Sequence, residues 1–502
     1  MTARCPPARS GWGETGAAVA VSAVPPEGPA PVRFAQRSTR GLLLGLSTAR
    51  CLCVGTAVCV VVLGLVAGGG IGLVASGLVW VPLLVATYVS WQGLALCEWA
   101  PVVGHWSARQ VARQSEYRAR MSVPRPAGTM ALPGDAAALR FYEDPDSGAC
   151  MVHDPHAQSV SVTVAVTHPA YVLLPAADQA SRVSAWGRLL TSLSRSGYCA
   201  AAQVLEATVP DPGTGVAGWY ERRGTHDGGW ADTNYAELLA QSSHGSSAHR
   251  STITISLDMR RAAKSIREAG RGMKGAAAVL RSQMEALEYS LRVADLHIER
   301  WLDAAALAVI VRRAYDPAAA LREGSPGANL DHAGPVALSE HWSYLRHDSG
   351  FSTVLWISEW PRQDVAANFL HSVVFAPGVR RSLSLVAHPL GTQEALRRIR
   401  KEKTEAIADS AQRAKIGQIQ DLSEHQQYED VLTREQALIA GHADMEFSGF
   451  LAVTAASRDE LSAAVAQIEQ AASQASCETR VLYGRQAQGF VVAALPLARS
   501  VK

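Results

Sequence analysis

The chain has 502 residues, 48% of them hydrophobic, and a formal net charge of +2. The near-neutral balance provides no large basic surface, so we expect no direct sequence-specific binding to nucleic acid. None of the eight cysteines belongs to a CxxC pair, which excludes zinc-site spacing and a disulfide framework. Thiols dispersed in this way are typical of a reducing cytoplasm.

Residues 1–32 are rich in Pro, Gly, Ala and Ser. Such a segment cannot bury enough apolar surface to offset the entropy that ordering would cost. It is therefore predicted to be a disordered cytoplasmic arm.

Residues 51–90 carry no charged side chain. A single membrane helix needs about 20 apolar residues, so this block is long enough for two. Gly68, Gly69 and Gly70 lie near its middle, where a turn would be required. We predict a membrane α-helical hairpin over 33–106, with spans at about 51–67 and 71–90. A signal peptide is the competing interpretation, but the apolar block is too long and starts too late.

Arginines flank both outer ends of this block, whereas the predicted turn has neither Lys nor Arg. Short basic segments stay in the cytoplasm, so both termini are expected there, in a multi-pass protein of the cell membrane. The arginines that set this topology are Arg37, Arg40, Arg50, Arg109 and Arg113. Rings expected near the lipid interfaces are those of Trp80, Tyr88, Trp91, Trp99 and Trp106.

The rest of the chain mixes strand and helix patterns. The β-branched run 159–166 predicts a buried strand, and 273–299 predicts a long helix. Near the C-terminus, 489–497 (GFVVAALPL) is interpreted as a strand. This order predicts an α+β fold with a ferredoxin-like arrangement in each of two cytoplasmic units. The predicted units are 107–315 and 338–502, joined by a polar linker at 316–337.

Residues 391–440 predict one long charged helix or a helical hairpin. Five basic residues lie near its start: Arg397, Arg398, Arg400, Lys401 and Lys403. One interpretation is a solvated helix with ion pairs between successive turns. The other is a surface on which a partner protein docks.

Catalytic and ligand-binding signatures are lacking in the sequence. The pattern GxxxxGK[ST] is missing, so the chain cannot build a standard phosphate-binding loop. His153, Asp154 and His156 could supply metal ligands, but Asp-Pro more often marks a turn. Loop residues His226 and Asp232 are interpreted as solvated. We therefore predict no catalytic, cofactor-binding or metal-binding residue, and a protein that is not an enzyme.

Two resemblances suggest a function. Residues 391–497, with KIGQIQDLSEHQQYEDVLTREQALIAGHADMEFSGFLAVTA, resemble the N-terminal domain of conjugative type IV secretion ATPases. Residues 41–106 look like the small two-span protein that accompanies those ATPases. The segments RSTRGLLLGLS, EWAPVVGHW and RRAYDP resemble actinobacterial membrane proteins with an EccE-type domain, named for a type VII secretion component.

These resemblances imply a non-catalytic membrane component of a secretion or conjugation apparatus. Its partners would be the lipid bilayer, a separately encoded ATPase and other membrane subunits, in an oligomeric complex. Two alternatives remain open at this point. One is a membrane-anchored enzyme, since some EccE-like folds resemble glycosyl-transferring domains, and the other is a regulatory protein that binds a small ligand.

The predicted topology can be tested by cysteine labelling in whole cells. A Gly69→Cys substitution should react with a membrane-impermeant maleimide added outside, because the turn faces away from the cytoplasm. A tag at the C-terminus should be protected in the same cells. Protection of position 69 together with an accessible C-terminus would contradict this topology.

Overall fold

The computed structural model describes residues 32, 34, 47–119, 126–168, 171–210, 214–242, 247–319, 329–416 and 422–501. The predicted disordered arm lies outside the described residues except for Val32. Arg37 and Arg40 also lie outside them. All structural statements below refer to the described residues.

Helices and strands are mixed along the described residues, which confirms the predicted α+β class. The helices are α1 (Thr48–Tyr88), α2 (Leu96–Val111), α3 (Ala176–Arg195), α4 (Thr214–Arg223), α5 (Trp230–Ser242), α6 (Ala263–Glu268), α7 (Gly272–Val293), α8 (Ala304–Tyr315), α9 (His371–Val374), α10 (Thr392–Ile416), α11 (Leu422–Ile439), α12 (Arg458–Gln474) and α13 (Gln486–Ala494). The strands are β1 (Ser90–Trp91), β2 (Leu94–Ala95), β3 (Glu116–Arg118), β4 (Arg140–Glu143), β5 (Cys150–Asp154), β6 (Ser159–Thr167), β7 (Cys199–Pro210), β8 (Ser247–Asp258), β9 (His297–Trp301), β10 (Ala337–Glu340), β11 (Leu345–His347), β12 (Gly350–Glu359), β13 (Arg380–Pro389), β14 (Met445–Ala455) and β15 (Glu478–Val481).

Helix α1 is the one described helix that is long and apolar enough to cross a membrane. Its backbone leaves helical geometry at Gly68 (φ −146°, ψ 15°) and Gly69 (φ 54°, ψ −135°). A Cβ placed on Gly72 would lie 2.1 Å from the carbonyl oxygen of Gly64. Residues eight positions apart are about 12 Å apart along a straight helix. The two arms of α1 therefore pack against each other around Gly68 and Gly69.

The same connectivity occurs twice after α2, in a first unit (β4 to α8) and a second unit (β10 to α13). In each unit two short strands lead into a long strand, β6 or β12. The long strand pairs with β8 or β14, which in turn pairs with β7 or β13. The last strand, β9 or β15, returns to pair with the long strand. A helical pair, α4–α5 or α10–α11, is inserted at the same point of each unit.

The two units share one sheet because β7 and β13 pair antiparallel, from Ala202 opposite Ala387 to Thr208 opposite Arg381. Thirteen strands among the described residues belong to this sheet. Strand β3, which precedes the first unit, pairs with β10 of the second unit. The predicted linker therefore joins units that are continuous in one sheet.

Helices cover both faces of the sheet. On one face, α3, α6 and α7 cover the first unit, and α9 and α12 cover the second. On the other face, α8 and α13 pack in a single core to which strands of both units contribute. Strand β6 shows the alternation expected of a sheet buried on both faces: Val162 and Val164 face one core, and Thr163 faces the other.

Gln203, at the centre of β7, ties the second unit to the first. Its side chain is fully buried. The amide nitrogen donates to Ser384 Oγ at 2.8 Å and to the carbonyl oxygens of Val492 at 3.1 Å and Leu495 at 3.0 Å. Its amide oxygen accepts from the backbone N–H of Ala498 at 2.6 Å. All four partners belong to the second unit or its C-terminal extension.

Three sequence-based assignments were wrong in detail. The run 489–497 is mostly helix α13 rather than a strand. A continuous apolar run has no period that would distinguish a buried helix from a buried strand. The predicted helix 273–299 ends at Val293, and its last residues belong to β9. The third is residues 363–372, whose pattern favours a helix in the sequence, whereas the structure has there only the start of the single turn α9.

Replacing Gln203 should destabilise the junction between the units. Gln203→Ala leaves several buried polar groups unpaired, at about 1–3 kcal/mol each. We expect a fall in Tm of at least about 6 °C in a thermal-unfolding scan of the detergent-solubilised chain. Gln283→Ala is the matched control, since the buried amide of Gln283 in α7 has no hydrogen-bond partner among the described residues. Equal shifts for both variants would contradict the role given to Gln203.

Candidate functional site

A short segment, Ser90–Val111, connects α1 to the sheet, and we call it the stem. It begins with the two-residue hairpin of β1 and β2. Gln92 and Gly93 form the turn with positive φ angles of 52° and 75°, the geometry favoured in such hairpins. The hairpin leads directly into α2, which runs along the second unit.

Five aromatic rings form the stem contact. The stem contributes Trp91, Trp99 and Trp106, and the second unit contributes Trp342 and Tyr483. Trp342 lies 6.1 Å from Trp99, 5.8 Å from Trp106 and 5.8 Å from Tyr483, measured between ring centroids. Tyr483 lies 5.2 Å from Trp91 and 5.6 Å from Trp99. These spacings are those of attractive ring pairs, each contributing about 0.5–1.5 kcal/mol beyond its buried area.

An ion pair adds a polar anchor to the stem contact. Arg109 of α2 pairs with Glu340 at the end of β10, whose side chain is almost fully buried. Arg109 also donates to the carbonyl oxygen of Gly484 at 3.2 Å. The other oxygen of Glu340 accepts from the backbone N–H of Ala487 at 2.9 Å, in the first turn of α13. A carboxylate is favourable at this end of a helix, and removing Arg109 would leave a buried charge without its partner.

Glu98 connects the start of α1 to the start of α2. It accepts hydrogen bonds from Ser47 Oγ and, at 3.1 Å, from the backbone N–H of Ala95, and it pairs with Arg50 at 3.4 Å. Burial raises the pKa of Glu98, but these hydrogen bonds and the charge of Arg50 outweigh burial and lower it. The residues that precede α1 and follow it are thereby held together. Of the other topology-setting arginines, Arg113 lies exposed in the turn after α2.

The charged segment forms two helices, α10 and α11, that pack against each other. Ala395 and Ile399 of α10 are fully buried with Leu438 of α11. Ion pairs connect the two helices, with Lys403 at 2.7 Å from Glu435 and Arg434 at 3.1 Å from Glu402. Helix α10 is therefore not solvated on all sides, because a narrow apolar stripe packs on α11.

The five predicted docking residues divide into two groups. Arg398 pairs with Glu446 of β14, and Lys403 pairs with α11, so both stabilise the chain's own fold. Arg397, Arg400 and Lys401 are exposed. They lie three and four positions apart, which places them on one side of a helix. Lys401 forms an ion pair at 3.8 Å with Glu405, which lies on the same helix.

Candidate metal ligands serve as local structural groups. Asp154 accepts from the backbone N–H groups of His156 at 2.9 Å and Ala157 at 3.1 Å, and it pairs with Arg499 at 3.0 Å. No group of three His, Cys, Asp or Glu suited to a metal ion occurs within the described part of the chain.

The loop between α4 and α5 is organised around Asp232. Asp232 accepts from the hydroxyl of Tyr220 and, at 3.0 Å, from the backbone N–H of Gly228. The hydrogen bond to Asp232 is the main cause that raises the pKa of Tyr220 to about 12. Asp227 accepts from Gly229 N–H at 3.0 Å. These contacts close the turn between two helices.

Among the described histidines, His347 has the most strongly shifted pKa, and its ring has a structural role. Burial lowers its pKa to about 4. Its ring nitrogens lie 2.7 Å from the carbonyl oxygen of Tyr315 and 2.7 Å from Ser352 Oγ. Ser352 in turn lies 2.7 Å from Thr454 Oγ1. The imidazole connects α8 to the second unit as a neutral, fully hydrogen-bonded group.

Comparisons with protein-family models and with curated proteins found no match for this chain. The site most distinctive to it is the stem contact, which sequence reasoning missed. Three tryptophans between residues 91 and 106 were the available signal, and we attributed their rings to the lipid interface. Their partners, Trp342 and Tyr483, are too far away in the sequence for spacing to reveal the contact.

Loss of the stem contact should release the stem from the second unit. Trp342→Ala removes three ring pairs, and we expect trypsin to cleave after Arg109 or Arg113 at least about tenfold faster in membrane vesicles. Cleavage would be followed as the appearance of the C-terminal fragment on a denaturing gel. Trp219→Ala is the control, because Trp219 is 52% exposed on α4. Equal cleavage rates in the two variants would show that Trp342 does not hold the stem.

Proposed function

We propose that this chain is a non-catalytic integral membrane component of a bacterial secretion or conjugation apparatus, of a type VII EccE-like or type IV-like class. It would dock a separately encoded ATPase at the cytoplasmic side of the cell membrane. The observation that carries the proposal is the stem contact. An apolar membrane segment is joined there to a large folded body by five rings and a buried ion pair, as a fixed scaffold requires.

A two-span, multi-pass topology is part of this proposal. The close approach of Gly64 and Gly72 supports it, because small residues at such positions let membrane helices pack closely. The contacts of Glu98 with Ser47 and Arg50 support an arrangement in which the chain enters and leaves the bilayer on one side. With basic residues at both outer ends, that side is the cytoplasm.

A ferredoxin-like fold for each unit is also part of the proposal. Its support is the order of connections, β6–α3–β7–β8–α7–β9 in the first unit and β12–α9–β13–β14–α12–β15 in the second. The order of strands in the sheet is β9–β6–β8–β7 in the first unit and β15–β12–β14–β13 in the second. In both units the fourth strand therefore pairs with the first, the first with the third, and the third with the second. The pairings within each unit are antiparallel.

The docking surface for the ATPase is assigned to the exposed side of α10. Arg397, Arg400 and Lys401 present three positive charges there, while the opposite side of the helix is packed on α11. Exposed charges at the rim of an interface mainly speed association and select the partner. Other membrane subunits, and further copies of the chain in the complex, would bind elsewhere.

Reversing the exposed charges tests this assignment. Arg397→Glu, Arg400→Glu and Lys401→Glu together should reduce co-purification with the ATPase, and the loss should be largest at low salt. We expect association to slow by at least about tenfold, measured by surface capture of the ATPase on chain-bearing nanodiscs. Arg398 and Lys403 stay unchanged, because both belong to ion pairs within the fold.

The control carries the same change of charge at a distant position. Arg188, Lys264 and Arg267 are exposed on α3 and α6, and their reversal should leave ATPase capture unchanged. Both triple variants should keep the wild-type Tm within a few degrees, since exposed substitutions usually change stability by about 0.5 kcal/mol or less. Unchanged capture by the α10 variant would remove this helix from the interface.

A further inference from the structure

An aromatic pocket lies on the second unit, next to the base of α10–α11. Its walls are Trp360, which follows β12, Phe369, which precedes α9, and Phe447 of β14. Trp360 lies 5.1 Å from Phe447 and 6.3 Å from Phe369 between ring centroids. Phe447 is paired in the sheet with Ala387 of β13, one position from Glu446. Because adjacent residues of a strand face opposite sides of the sheet, the pocket lies on the face opposite to Glu446, which pairs with Arg398 of α10.

The pocket has a built floor. A Cβ on Gly449 would lie 3.0 and 3.1 Å from two atoms of the Trp360 ring. Contacts this short are tighter than ordinary packing, so glycine at this position lets the indole lie flat against β14. The ring of Trp360 is held in place by the backbone beneath it.

The pocket is filled by Phe34, from the segment that precedes the membrane helix. The Phe34 ring stacks on Trp360 at 5.2 Å and meets Phe369 edge-on at 5.2 Å and Phe447 at 5.7 Å. Val32, two residues earlier, makes an antiparallel bridge with Val365. Its N–H donates to the Val365 carbonyl oxygen at 2.8 Å, and the Val365 N–H donates back at 3.1 Å.

This combination is that of a site for an extended peptide. Backbone hydrogen bonds to a bridging residue provide alignment, and a pocket selects the side chain two positions later, because alternate side chains of an extended chain point the same way. We propose that Trp360, Phe369, Phe447 and the backbone of Val365 form a recognition site for a short extended segment with an aromatic side chain. Its resident ligand is the chain's own N-terminal segment, through Val32 at the end of the arm and Phe34 two residues beyond it.

The proposal extends beyond the scaffold role and does not depend on the ATPase. Docking of Phe34 attaches the second unit to the segment before α1, whereas the stem attaches it to the segment after α1. The arm and its site belong to one chain, so the arm competes with any free peptide at an effective concentration on the order of 1 mM. A free segment of the same chemistry should therefore bind only when Phe34 has left the pocket.

A peptide-binding experiment on the full-length chain in nanodiscs tests this site. The probe is a fluorescent peptide of residues 29–38, followed by anisotropy. The Phe34→Ala chain, with a vacated pocket, should bind it at least about tenfold more tightly than wild type. A probe with alanine in place of Phe34 should not bind. Phe375→Ala is the matched control, an exposed phenylalanine outside the pocket, and it should behave as wild type.

Two results would overturn the proposal. One is equal binding of the probe to the wild-type and Phe34→Ala chains, and a lack of binding to both chains counts as this result. The other is equal binding of the probe and its alanine version. Hydrogen exchange provides a second measurement that needs no probe. The Val365 amide should be protected in wild type and exchange at least about tenfold faster in Phe34→Ala, while amides of β12 stay protected. An unchanged Val365 rate would equally reject the docking of the arm.

Discussion

The antiparallel pairing of β7 with β13 determines how the two units and the helices on them are arranged. It turns two units of equal connectivity into one sheet, and it places Ser384 opposite Leu205, beside Gln203. The Gln203 amide then satisfies two carbonyl oxygens and one N–H of the segment after β15. Because buried polar groups are costly when unpaired, this side chain tolerates few alternative arrangements of the second unit. Helix α13 is thereby fixed against both units. Its first turn donates a hydrogen bond to Glu340, and Glu340 in turn pairs with Arg109. The stem contact is thus a consequence of the junction between the units.

The structure gives the stem a role that differs from that of a simple anchor. A flexible connection would let the sheet drift relative to α1, whereas five packed rings and a buried ion pair fix one orientation. Strand β3 continues this attachment by pairing with β10, so the chain that follows α2 joins the second unit before it builds the first. The helical pair α10–α11 is inserted between β13 and β14 of that same second unit. A partner bound to the exposed side of α10 would therefore be held at a defined position relative to α1.

Local patterns in the sequence predicted the elements whose side chains alternate or repeat within a few residues. The run 159–166 was correctly assigned as a strand, because Val160, Val162 and Val164 recur with a period of two. Likewise, the apolar block and its glycines pointed to the position where α1 leaves helical geometry. The sequence failed where a continuous apolar run lacks a period, as in α13, and where contacts join distant positions. Trp342, Tyr483 and Glu340 carried no local signal of their role. Of the five predicted docking residues, periodicity could not separate Arg397, Arg400 and Lys401 from the two that are held in ion pairs.

Site-specific photo-crosslinking in the native cell would identify the protein that contacts the exposed side of α10. A photoreactive amino acid would replace Arg397 on α10 in one strain and Arg188 on α3 in another, both exposed positions. Irradiation followed by mass spectrometry of the purified adducts identifies the neighbour at each position. We expect position 397 to be crosslinked to a P-loop ATPase and position 188 not to be. An adduct pattern without an ATPase at position 397, or with the same ATPase at both positions, would contradict this expectation.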